Sequence, residues 1–234
     1  MRSLTLGLLA ASLSATAFAA DPASVELTVV GLSQTQTSST DKPDGGTSVK
    51  TTSTDLNTSP LNLKLDAYMN NMGMHYGITA NSAGISGTFG AGYFVLQNLE
   101  LGLDLAIAQT KSKDGSASEI SKSTNGYYLY GRYAMPITES LSFRVVPKLG
   151  MTSGTSKGPV FDTATSTSST VKTTDSGTGF GLDASLVHEC ASNIFYEFTL
   201  GYHASNSDNK TGSAKSKTAA NTLTVTPLSF RAKI

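Results

Sequence analysis

"LELGLDLAIA", Leu99 to Ala108, sets Leu99, Leu101, Leu103, Leu105 and Ile107 on one parity and Glu100, Gly102, Asp104, Ala106 and Ala108 on the other. Period two marks an extended strand, because successive side chains leave opposite faces; on a helix these leucines would scatter around the circumference. The segment has one oily face and one small or acidic face. In a water-soluble sandwich the oily face meets a second sheet, whereas in a membrane barrel it meets lipid and the polar face lines the lumen.

The pattern recurs along the chain. "LNLKLDAYM" carries Leu61, Leu63, Leu65, Ala67 and Met69 against Asn62, Lys64, Asp66 and Tyr68. "LSFRVVPKLGM" sets Leu141, Phe143, Val145, Pro147, Leu149 and Met151 against Ser142, Arg144, Lys148 and Gly150. "IFYEFTLGYH" does the same with Ile194 to Tyr202 against Glu197, Thr199 and His203, and the parity runs on through Phe180 to Leu186 and Leu228 to Ile234.

Connections then set the topology. Tight ones at Asn70, Leu96, Pro136 and His188 take turns with Ser/Thr/Lys/Gly-rich stretches around residues 37–59, 111–124, 153–176 and 205–221. Short turns at one end and long loops at the other are the asymmetry of an outer-membrane barrel. With "NSAG" from Asn81 counted as a short member of the long side, ten strands fall near 24–36, 58–69, 72–80, 84–95, 99–111, 124–135, 140–153, 176–187, 193–205 and 221–234. Eight strands, merging or discarding the pair around Asn70, is the alternative. An even count puts both ends on the periplasmic side.

The first segment, "MRSLTLGLLAASLSATAFAA", has Arg2, a short apolar centre and the small-x-small site Ala17-Phe18-Ala19. It reads as a cleaved signal peptide over residues 1–19, with 20–234 exported as the barrel domain. No later run approaches the roughly 20 apolar residues of a membrane helix. Any crossing is made by strands.

Composition excludes other classes. The 17 Lys+Arg match the 17 Asp+Glu, so no basic excess points to nucleic acid. Cys190 is the one cysteine and has no intramolecular disulfide partner. No Cys/His spacing suits a metal, and no cofactor is expected.

Aromatics sort by height on the oily parity. Tyr93, Tyr133, Phe143, Tyr196 and Phe230 fall near the short-turn ends, and Tyr76, Tyr127, Phe180 and Tyr202 near the long-loop ends. Two girdles of this kind suit two membrane interfaces. On these grounds the mature chain resembles the small outer-membrane β-barrel superfamily of Gram-negative bacteria, with "GTFGAGYFVLQNLELGLDLAIA" the stretch most similar to it. The resemblance implies an all-β, antiparallel transmembrane barrel in the outer membrane, among its lipids and lipopolysaccharide and inserted by the barrel-assembly machinery. Such barrels often end in Phe; this chain ends in Ile234, with Phe230 and Ala232 on the same face.

The inward parity carries Glu26, Asp66, Glu100, Asp104, Asp183 and Glu197 together with Lys64, Arg132, Arg144, Lys148, Arg231 and Lys233. Six acids meet six bases. A lumen this narrow is largely filled by side chains, where unpaired charges are costly and paired ones tolerable. The twelve are read as a lumen charge network rather than the one-sign constriction of a selective pore.

Function follows in three classes. The preferred one is a non-enzymatic barrel whose surface loops bind an extracellular ligand or another surface. A small porin-like channel is the second. The third is an enzyme: "HASN", His203 to Asn206, resembles the His-x-Ser-Asn motif of outer-membrane lipid A deacylases, which would make His203 the base and Ser205 the nucleophile. There the match stops, because only Asp208 follows as an acid and His203 lies on the lumen parity.

Overall fold

The computed structural model describes residues 23–57, 61–69, 72–81, 84–113, 119–162 and 167–233. The expected signal segment and the terminal Ile234 lie outside them. The described residues form eleven strands: β1 (Ala23–Pro43), β2 (Val49–Asn57), β3 (Leu61–Met69), β4 (Met72–Asn81), β5 (Gly84–Leu96), β6 (Leu99–Lys113), β7 (Glu119–Pro136), β8 (Leu141–Asp162), β9 (Thr167–Ala191), β10 (Ile194–Thr211) and β11 (Ala214–Lys233). From β3 to β11 each strand pairs antiparallel with the next, β1 pairs with both β2 and β3, and β1 also meets β11 from Glu26↔Lys233 to Pro43↔Ser216, closing the sheet.

Ten barrel strands result, because β2 and β3 share one track. β1 pairs with β3 over Ala23–Val29 and with β2 over Ser33–Asp41. The eight-strand alternative is ruled out by the pair around Asn70: β3 and β4 pair from Leu61↔Ala80 to Met69↔Met72, and β4 pairs onward with β5 as far as Asn81↔Gly84.

The strands run well past the alternating segments. Most of the stretches read from the sequence as loops around 37–59, 153–176 and 205–221 are strand: β8 and β9 pair up to Asp162↔Thr167, and β10 and β11 up to Thr211↔Ala214. The physical reason is that these segments have water on both faces. Polar residues then occupy both parities and the periodic signal vanishes, while Thr still favours the extended backbone.

Burial is inverted relative to a soluble protein. Among the described residues the buried hydrophobic side chains are Tyr130 and Val187, whereas Thr28, Asp66, His75, Glu100, Arg132 and Arg231 are among the buried polar ones. Outward, Leu103, Leu129 and Leu149 are each more than 60% exposed. The row Leu99 to Ile107 is nine residues long, the span a tilted strand needs to cross hydrocarbon.

Turns at the short end are tight. Gln97–Asn98, Ile137–Ser140 and Ser192–Asn193 connect the strands, with Asn193 at φ 64°, a left-handed backbone that Asn tolerates better than most residues. At the opposite end, Gly212 at φ 60° makes the tip of the β10–β11 hairpin.

Candidate functional site

Inside the barrel, strand register decides who meets whom. β3 and β4 place Asp66 opposite His75, and β6 and β7 place Glu100 opposite Arg132. These four side chains converge near the short-turn end. His75 Nδ1 lies 2.5 Å from Asp66 Oδ1, and Nε2 lies 2.7 Å from Glu100 Oε1. Tyr130 donates its hydroxyl to the same Glu100 oxygen at 2.6 Å, and its ring meets His75 edge-on at 5.6 Å between centroids. Arg132 completes the group, with Nη2 at 3.5 Å from Asp66 Oδ1 and Nη1 at 3.6 Å from Glu100 Oε2. Lys64 Nζ stands 3.7 Å from Asp66 Oδ2.

The two carboxylates are the most deeply buried large side chains described, at 0% exposure for Glu100 and 1% for Asp66. Burying a carboxylate is costly unless it is paired and hydrogen-bonded, and both meet Arg132, which stands on the strand next to Glu100 and four strands away from Asp66. The space is cleared by glycines on facing strands. A Cβ at Gly73 would meet Glu100, and one at Gly92 would collide with both Glu100 and the Tyr130 hydroxyl.

The other predicted charges fall into smaller pairs. Arg231 donates to Glu26 at 3.1 Å and stacks its guanidinium over Phe195 at 4.8 Å from the centroid. Arg144 Nη1 lies 3.8 Å from Glu197 Oε1, and Lys148 Nζ lies 3.2 Å from Asp104 Oδ2. Lys233 takes the register position opposite Glu26. Asp183 is within 3.2 Å of His203 Nε2. Between these pairs remains a cavity of about 220 Å³, lined by Lys64, Tyr130, Arg132, Arg144 and Glu197 among others.

Two participants were missed by reasoning from charge alone. His75 and Tyr130 both lie on the inward parity, and their polar tips are what a buried acid needs. The acid beside His203 also differs from the sequence reading, which sought it downstream: it comes from the preceding strand, β9. His203 faces the lumen and not the outer wall. On that outer wall stand the nine aromatics, with Tyr76, Tyr93, Tyr127, Phe180, Tyr202 and Phe230 exposed and Tyr133, Phe143 and Tyr196 half-buried. Tyr196 and Phe230 pack edge to face at 6.3 Å.

A closed ten-strand barrel with an oily outside and a charged inside is the architecture of an outer-membrane protein. The chain belongs to the outer membrane protein beta-barrel domain family, whose model matches residues 4–226. Among solved structures it is similar to the outer membrane protease OmpT of Escherichia coli, at TM-score 0.52 and 8% identity over 91% of this chain and 97% of that one. Looser likenesses are to Neisserial surface protein A, at TM-score 0.33 and 10% identity over 86% and 96%, and to the toluene transporter TodX of Pseudomonas putida, at 0.33 and 9% over 95% and 93%. At such identities the likeness to OmpT is one of fold alone. No curated protein matches the chain in sequence. Among the described residues, no group of three or more His, Cys, Asp or Glu could hold a metal ion.

Proposed function

We propose that the protein is a non-enzymatic surface barrel: its lumen is sealed by its own ion pairs, and its hairpins rise from the membrane to bind extracellular partners. The observation that carries this reading is the cross-lumen cluster of Asp66, His75, Glu100, Tyr130 and Arg132, drawn from β3, β4, β6 and β7. A conducting constriction keeps one sign of charge in excess and exposed to water. Here the charges are balanced and several are withdrawn from water, which favours a plug over a filter.

In this reading the short turns face the periplasm, the two aromatic rows lie at the two interfaces, and residues 1–19 direct export. The long hairpins then stand in the medium. Their Ser/Thr-rich faces suit polar, carbohydrate-like or charged partners better than a large apolar one.

The test is to trim a hairpin without touching the barrel. Thr155 and Thr174 face each other across β8 and β9, so a two-residue turn can replace residues 156–173. Labelled full-length and trimmed proteins are applied to an array of glycans and matrix proteins. Capture of the full-length chain and its loss on trimming are expected. Equal capture of both, or capture of neither, contradicts a binding role for this hairpin.

A further inference from the structure

Above the outward apolar rows the wall changes character. The outward parity of β8, β9, β10, β11 and β1 continues from Met151, Phe180, Tyr202, Leu223 and Gln36 to Lys157, Lys172, Lys210, Lys215, Lys217 and Lys42, all six lysines exposed. Register turns them into directly opposed pairs. Lys157 faces Lys172 across β8–β9, Lys210 faces Lys215 across β10–β11, and Lys42 faces Lys217 across β1–β11.

Like charges directly opposite one another weaken a sheet. Three such pairs on one face are therefore unfavourable for the wall alone. Among the strand side chains described there, one acid shares the face: Asp208, 4.0 Å from Lys217, with both side chains mostly exposed. Asp41 and Asp175 take the opposite parity, where Asp41 accepts from Thr218 and Asp175 lies beside Gly154. Asp44 belongs to the β1–β2 turn. Charge is thus segregated across a wall one strand thick, ammonium groups outward and carboxylates mainly inward.

Opposed residues in an antiparallel pair have Cβ atoms about 4.5–5.5 Å apart. Two ammonium groups on such bases, each on a flexible four-carbon stem, can close on a single phosphate with charge-assisted hydrogen bonds. Height names the source. The lysines lie six to eight residues beyond Met151, Phe180 and Tyr202, or about 15–20 Å above that row at roughly 3.3 Å per residue and the usual barrel tilt. That is the level of a glycolipid's sugar core, and the side chains project sideways from the wall, Lys210 and Lys215 just below the β10–β11 tip at Gly212.

We propose that the three lysine pairs bind phosphate groups on the core sugars of outer-leaflet glycolipids standing beside the barrel. The inference rests on the membrane placement given above and adds a ligand class to its hairpins.

The experiment uses the refolded full-length barrel. Its insertion into vesicles and heat-modifiable gel migration are scored first, and failure there contradicts the membrane reading itself. The temperature at which the gel shift is lost is then followed on titration with lipopolysaccharide bearing a phosphorylated core, the same material dephosphorylated, lipid A alone, and inositol hexaphosphate. We expect stabilisation by the phosphorylated core at the lowest concentration of the four. The variant with all six lysines changed to Gln should bind it at least about tenfold more weakly, because it removes the charges that attract the phosphates. A six-Arg variant should retain binding, and the Lys157→Gln/Lys172→Gln pair keeps the test available if the six-Gln chain fails to fold. Equal response of wild type and a folded Gln variant, or of phosphorylated and dephosphorylated cores, overturns the proposal. An equal or stronger response to inositol hexaphosphate or to lipid A overturns the assigned source.

Discussion

Glu100 is fully buried, and its oxygens receive His75, Tyr130 and Arg132 from two other strands. Removing a partner leaves a charge without compensation, which typically costs 3–5 kcal/mol. Arg132→Ala should therefore lower the unfolding free energy by about that amount in urea titration of the refolded barrel. Asp104, paired with Lys148 nearer the water, should tolerate Asn at a smaller cost. On the outer wall, Leu103→Arg should cost about 2–4 kcal/mol in a bilayer, as for a cation near the midplane. If Asp104→Asn and Leu103→Arg cost the same, the assignment of the two faces is wrong. Gly92→Val probes the packing from the other side, since even one added carbon meets Glu100 and Tyr130. Overpacking of this kind costs about 1–3 kcal/mol, and a neutral result in the same titration would mean the cluster is loosely held.

The elements show where sequence pattern carries information and where it stops. Between Leu99 and Ile107 the two faces meet different environments, so alternation reveals both the strand and the facing of Glu100 and Asp104. From Thr170 to Ser176 exposed and half-buried side chains alternate with no apolar face, so the first ten residues of the 25-residue β9 lie within what reads as a loop. The cluster follows the same logic. Its carboxylates and Arg132 stand out by charge on an apolar background, but the meeting of Asp66 with His75 depends on the β3–β4 register, which composition does not encode. The upper hairpins also bury little apolar surface, so they contribute little to closure. Replacing residues 156–173 by a short turn should leave heat-modifiable migration intact. Loss of the folded band would mean that β8–β9 pairing above the membrane is needed to form the barrel.

For the whole molecule, the oily exterior and charged interior describe a protein whose solvent is lipid outside and its own ion pairs within. In detergent the chain should give a strand-rich circular-dichroism spectrum and migrate differently before and after boiling, because a closed barrel yields to detergent only when heated. A helical spectrum would contradict the architecture. Lipid A chemistry provides a separate check on the enzyme reading. His203 turns Nε2 toward Asp183 inside the lumen, away from acyl chains, so expression should leave the mass spectrum of lipid A unchanged. An acyl loss abolished by Ser205→Ala would require the opposite facing of β10.

Planar-bilayer recording tests the sealed lumen most directly. The refolded wild-type barrel should show no steady open level at neutral pH, while the Arg132→Ala/Glu100→Ala double variant, which removes the bridge between β6 and β7, should show discrete ion conductance. A stable open level in the wild type, unchanged in the variant, would contradict a lumen closed by these ion pairs.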